Sequence, residues 1–203
     1  FFSQGVVAGY VPWRPTWVLA AVVSLAWLRL LVGTAGLLEL LPWFDALLFV
    51  LTASCALRWT SLRARGHPLL WTLYAAFAWL PVAMLLQLAR DASYTLTGEW
   101  ALGRAPIHAL GMGYFAGMLI AMVTRVTMGH SGRPLAMDRA ALACFVAVQA
   151  AAVARVASEI ATAPAAIRWL LLGSMAAWLA AIAAWSAAHA PIYLAPRSDG
   201  RPG

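Results

Sequence analysis

Long apolar stretches separated by short polar turns organise the whole chain. Six of them run from about Trp17 to Leu38, Trp43 to Leu62, Leu69 to Ala89, Pro106 to Met128, Arg139 to Ile160 and Ala165 to Ala188. A helix needs about 20 such residues to cross the hydrocarbon of a bilayer, and each stretch reaches that length. The pattern predicts an all-α fold, an integral membrane bundle of about six transmembrane helices forming one domain over residues 1–203. The opening FFSQGVVAGYVPWRP has Pro12 and Pro15, which prevent a long helix there and place it at the membrane interface.

The fourth stretch and the turn after it carry the densest set of polar and small residues. His108 and His130 lie 22 steps apart, which is roughly 33 Å of helix at about 1.5 Å per residue, so the two cannot share one metal ion. Ala109, Gly113, Gly117 and Ala121 recur every fourth residue as a small ridge. Such a ridge admits either a neighbouring backbone or a flat ligand. Arg125 ends the same row, one turn before the helix end, where it can reach the interface or act as a buried counter-ion.

The other polar positions are sparse. Arg29 falls near the middle of the first helix, where a charge needs a partner; neighbouring carbonyls or a carboxylate such as a porphyrin propionate would serve. Pro81 should kink the third helix. The polar stretch DASYTLTGEWALGR then reads as a loop able to form a short lid over the His108 end of helix four. Arg155 and Glu159 are spaced i,i+4 and can neutralise one another, or Gln149 and Arg155 can line a polar site near helix four. His189 precedes Pro191 at the end of the sixth helix, so His67, His130 and His189 share one face on separate elements, a possible metal constellation without an i,i+4 pair.

Composition agrees with the pattern. The chain of 203 residues is 64% hydrophobic and 10% charged, with mean hydropathy +0.80, which excludes a soluble domain. All 14 basic residues are arginine, giving a net charge of +7. Their distribution explains the excess better than a nucleic-acid surface does. Arg14, Arg58, Arg63, Arg65, Arg133, Arg139, Arg197 and Arg201 flank one set of turns, and the opposite turns hold Arg90, Arg104 and Arg168 diluted by Glu39, Asp45, Asp91, Glu99 and Glu159. By the positive-inside rule both termini are cytoplasmic, in a multi-pass membrane protein surrounded by lipid. Cys55 and Cys144 fall inside spans and read as small packing residues. The chain opens on Phe1 without a recognisable signal peptide, which suggests a fragment or a processed product.

The GHSGRPL of Gly129 to Leu135, the MVTRV of Met122 to Val126 and the HAL of His108 to Leu110 together resemble the NnrS family. Further similarity lies in PLLWTLYAAFAWLP at Pro68 to Pro81, in APIYLAPRSDGRPG at Ala190 to Gly203 and in FFSQG. The resemblance covers nearly the whole chain, as the C-terminal half of a family with about twice as many membrane helices. It implies a haem- and copper-containing inner-membrane protein linked to denitrification and nitric oxide resistance. The matched positions are His108, Arg125, His130, Gly132, Arg133 and Pro134, and Tyr74 stands where the family pattern leads one to expect a histidine.

Two functions follow. In the first, haem b is held by His108 as axial ligand, with the glycine ridge admitting the porphyrin and Arg29, Arg125 or Arg155 neutralising a propionate. His130 and His189 would then be the copper candidates, since neutral imidazole suits that metal. In the second, the chain is a non-catalytic subunit or assembly factor of a respiratory or photosynthetic complex. A transporter would need broken helices in matching halves, and the sequence has no such repeat.

Overall fold

The computed structural model describes residues 13, 15–60 and 66–200. The FFSQG opening, most of the segment before the first helix, and Arg14, Arg63, Arg65 and Arg201 lie outside the described residues. Six helices form the bundle: α1 Trp17–Thr34, α2 Leu41–Trp59 after a 3-10 turn, α3 Pro68–Thr97, α4 Ala105–His130, α5 Arg139–Ile160 and α6 Pro164–Leu194. All six spans are long and apolar enough to cross a membrane.

Local chemistry sets the ends. Proline occupies one of the first two positions of α2, α3, α4 and α6, where its missing N–H costs nothing. The carboxylate of Asp138 caps α5 by accepting from the Ala141 N–H at 2.7 Å. Gly98, at φ +77°, closes α3. That helix runs past the expected end at Ala89 to Thr97. The hydroxyls of Thr95 and Thr97 bond back to the carbonyls of Asp91 and Ser93, and Ser93 bonds back to Arg90, so polar residues read as a loop satisfy themselves within the helix. In the turn that follows, Trp100 stacks back on Tyr94 of α3 with ring centres 4.2 Å apart, and Gly103 and Arg104 reach Glu159 of α5 near the His108 end of α4. Helix α6 likewise continues through Pro191 to Leu194.

Each helix packs on its neighbour in sequence, with α4 seated between α3 and α5. The core is built by Leu73 and Ala76 of α3, Ile120 and Ala121 of α4, and Phe145 and Val148 of α5. Among the described residues α1 and α6 do not meet, so the six helices form an open crescent. Only Val18 of α1 is buried, and only Ser174, Ala181 and His189 of α6. Both cysteines are buried and free, as expected of packing residues.

The small ridge of α4 is packing surface. Residues Ala109–Ala116 form a wide π-helical stretch within the span. A side chain at Gly113 would collide with the Trp79 ring, and one at Gly117 would meet Gln149 Nε2 at 2.5 Å and Ala76 Cβ at 3.1 Å. Trp79 crosses the ridge and donates from Nε1 to Gln149 Oε1 at 2.6 Å, joining α3 to α5 over the back of α4. The ridge therefore accommodates an indole of the chain itself, not a porphyrin plane.

Candidate functional site

His108 is placed by the first turn of α4, and a small polar cluster assembles around it from α5. Glu159 accepts from Arg155 Nη1 at 2.6 Å, the i,i+4 pair that their spacing suggested. Its other oxygen accepts from the backbone N–H of Arg104 at 3.0 Å. Gly103, at φ +43°, lets this happen, because the Glu159 carboxylate lies where a side chain at 103 would sit. Arg155 also donates to Ser158 Oγ at 2.8 Å. His108 Nε2 lies 3.8 Å from Glu159 Oε1, beyond hydrogen-bonding distance, and is buried without a hydrogen-bond partner. A buried imidazole nitrogen without a partner forfeits a hydrogen bond it would make in water.

Of the residues expected to serve His108, the structure brings Arg155 close and leaves two elsewhere. Arg125 is 17 residues further along the same helix, roughly 25 Å away at 1.5 Å per residue. Arg29 belongs to another cluster altogether. Its guanidinium bridges the carboxylates of Asp45 on α2 and Asp91 on α3, both buried, and Gln87 donates to Asp91 at 2.9 Å. Arg90 adds a second cation 3.8 Å from Asp91 while lying over the Trp100 ring. Arg29 thus has two carboxylates of its own chain where a propionate was expected, because a charge inside the apolar span needs its partner from the moment of folding.

The histidines at the opposite, arginine-rich end do not converge. His189 of α6 is fully buried, stacked on Trp185, and its Nδ1 donates to the Trp185 carbonyl at 2.9 Å. Its Nε2 faces Asp138 at 3.5 Å and has no hydrogen bond. Two further bonds tie α4 to α6 here: Trp185 Nε1 donates to Thr124 at 3.0 Å, and the hydroxyls of Thr127 and Tyr193 pair. His130 instead lines an exposed pocket with Arg125 and Arg197, and His67 lines a neighbouring one. Among the described residues no three His, Cys, Asp or Glu side chains gather as a metal site. The expected trio of His67, His130 and His189 therefore does not gather into one metal site: His67 and His130 line adjoining pockets, and His189 is buried against Trp185.

Sequence reasoning missed Asp138 beside His189 and Arg104 beside Glu159. It also missed the shared role of Asp45 and Asp91, although an arginine at mid-span is a signal to look for carboxylates at the same depth. Tyr74 is buried within α3.

No curated protein and no solved structure matches this sequence. A family model described as NnrS protein matches residues 1–197. With that match spanning nearly the whole of a six-span helical membrane bundle, the chain belongs to the NnrS family.

Proposed function

We propose that this protein acts in the bacterial response to nitric oxide and binds haem b through His108. The observation that carries the reading is the buried, unpartnered Nε2 of His108 in a chain of the NnrS family. Imidazole is the common protein ligand of haem iron, and a ligand atom needs a lone pair not already committed to a donor. Haem bound there would supply an iron coordination position for a diatomic ligand.

The chain's own residues fit part of such a site. Gly111, three residues beyond His108, has open space where a side chain would be, whereas Gly113 and Gly117 are covered. Arg155 and Arg104 stand at the same end of the bundle and would give the carboxylates of a bound ligand positive charge, with Glu159 holding the Arg155 fork in place. A copper ion at His130 or His189 would need ligands beyond those the described residues bring together. The excess of arginine at the Arg125 end supports an orientation with that end, and both termini, in the cytoplasm of an inner-membrane protein.

An absorption spectrum of the purified protein with and without dithionite tests the reading. A Soret band that shifts on reduction and is lost in His108→Ala, with the variant still eluting as a folded particle, is the expected result. The second reading, a non-catalytic subunit of a larger membrane complex, is favoured by the open edges of the crescent at α1 and α6. A colourless wild-type protein that migrates with partner subunits would establish it in place of the first.

A further inference from the structure

We propose that the pocket between the arginine-rich end of α4 and the C-terminal segment binds the headgroup of an anionic phospholipid. The pocket encloses about 430 Å³. Its polar lining is Arg125, His130 and Arg197, and its apolar lining includes Met122, Val126 and Leu135. A smaller pocket of about 200 Å³ adjoins it, shares Arg125 and Leu135, and adds His67. No carboxylate lines either one among the described residues.

The segment after α6 builds one wall of the pocket. Ser198 donates from its backbone N–H and its hydroxyl to the Ser131 carbonyl, at 2.9 and 3.0 Å, strapping the segment onto the turn after α4. Asp199 packs where a side chain at Gly132 would be, at 2.6 Å, and Gly132 itself adopts φ +72°, so glycine is required twice over. Asp199 accepts from Arg197 Nε and Nη2 at 2.9 and 2.6 Å, which fixes that guanidinium beside the pocket. With its Nε and Nη2 taken by Asp199, Arg197 keeps Nη1 to donate, and together with Arg125 it gives the pocket donors for a phosphate.

The apolar half decides the class of ligand. Val126, in the last turns of α4, and Leu135, in the turn that follows, are 49% and 60% exposed, an apolar shelf that acyl chains can cover. Arg125 lies five residues before the end of α4, roughly 7 Å along the axis, near the boundary between headgroups and hydrocarbon. A soluble anion would use the cations and gain nothing from the shelf, whereas a phospholipid uses both. Basic pockets at this depth on the cytoplasmic side of helical membrane proteins are the physical setting for anionic headgroups.

Native mass spectrometry of the full chain in detergent reads the bound lipid directly. With phosphatidylglycerol and phosphatidylcholine of matched chains, we expect about tenfold tighter retention of the anionic lipid, and about fivefold weakening in Arg125→Gln and again in Arg197→Gln. Arg168→Gln, at the opposite end, serves as the control and leaves retention unchanged. Arg197 lies outside the helices, so its variant tests the site even if Arg125→Gln fails to fold. Equal retention of the two lipids, or pocket variants indistinguishable from Arg168→Gln, overturns the proposal. Displacement of phosphatidylglycerol by millimolar inorganic phosphate also overturns it, in favour of a soluble anion. Neither variant touches the His108 cluster, so the result is independent of haem.

Discussion

Two arginine–carboxylate clusters bridge helices of this bundle, and they are built to opposite ends. Around Arg29 both carboxylates are taken: its guanidinium bridges buried Asp45 and Asp91, Gln87 occupies a remaining oxygen, and only the Nε of the outer cation, Arg90, is left without a bond. Around Arg155 the carboxylate of Glu159 is taken by a guanidinium and a backbone N–H, and the imidazole next to it is left over. A closed network joins α1, α2 and α3 and gains nothing from a visitor. An incomplete one leaves a buried ring nitrogen without a hydrogen bond, which is a cost to stability. The first cluster is architecture, and the second is where the proposed haem site lies.

Removing one partner from the closed cluster should produce the largest loss. Arg29→Ala or Arg29→Gln strands the buried carboxylates of Asp45 and Asp91 inside the bundle, and unfolding in mixed micelles should show a drop of about 3 kcal/mol, the lower end of the range for buried pairs because Arg29 is 26% exposed. Replacing Arg29, Asp45 and Asp91 together by leucine should recover most of that loss. If the triple variant were as unstable as the singles, the cluster would be more than a staple. Gly113→Ala comes next, at about 1–3 kcal/mol, because a methyl group there must displace the Trp79 ring. Trp79→Phe keeps most of that packing and forfeits the 2.6 Å bond to Gln149, for about 1 kcal/mol in the same unfolding measurement. The smallest change should come from the open cluster: Glu159→Gln costs less than about 1 kcal/mol by unfolding, since its ion pair sits at the rim of the bundle. A large stability loss there, with an unchanged spectrum, would reverse the two assignments.

The spans were legible because apolar length is a direct record of bilayer thickness, and all six helices begin within two residues of where hydropathy puts them. The exit of α3 was not. Asp91, Ser93, Thr95 and Thr97 look like a loop to any measure of polarity, yet hydroxyl-to-carbonyl bonds and the Arg29 network hold them in helix. The Arg155–Glu159 pair was written in its spacing. The occupant of the small ridge was not: periodicity announces that something packs closely on Gly113 and Gly117 and is silent on whether it is an indole or a ligand. For the same reason four histidines could be sorted by face but not by neighbour, and the three at one end do not gather into one metal site.

The wide stretch at Ala109–Ala116 bears on how α4 keeps its alignment. In a regular helix, positions four apart creep round the axis by about 40° per step, so Ala109, Gly113, Gly117 and Ala121 would spiral away from one contact line. Broader winding over the first half of the span turns the creep back, and all four residues stay in shadow. The azimuth of His108 relative to Arg125 is therefore a matter of residue count: deleting a single position from this stretch would tighten the coil and swing one terminus of the rod by about 100° against the other.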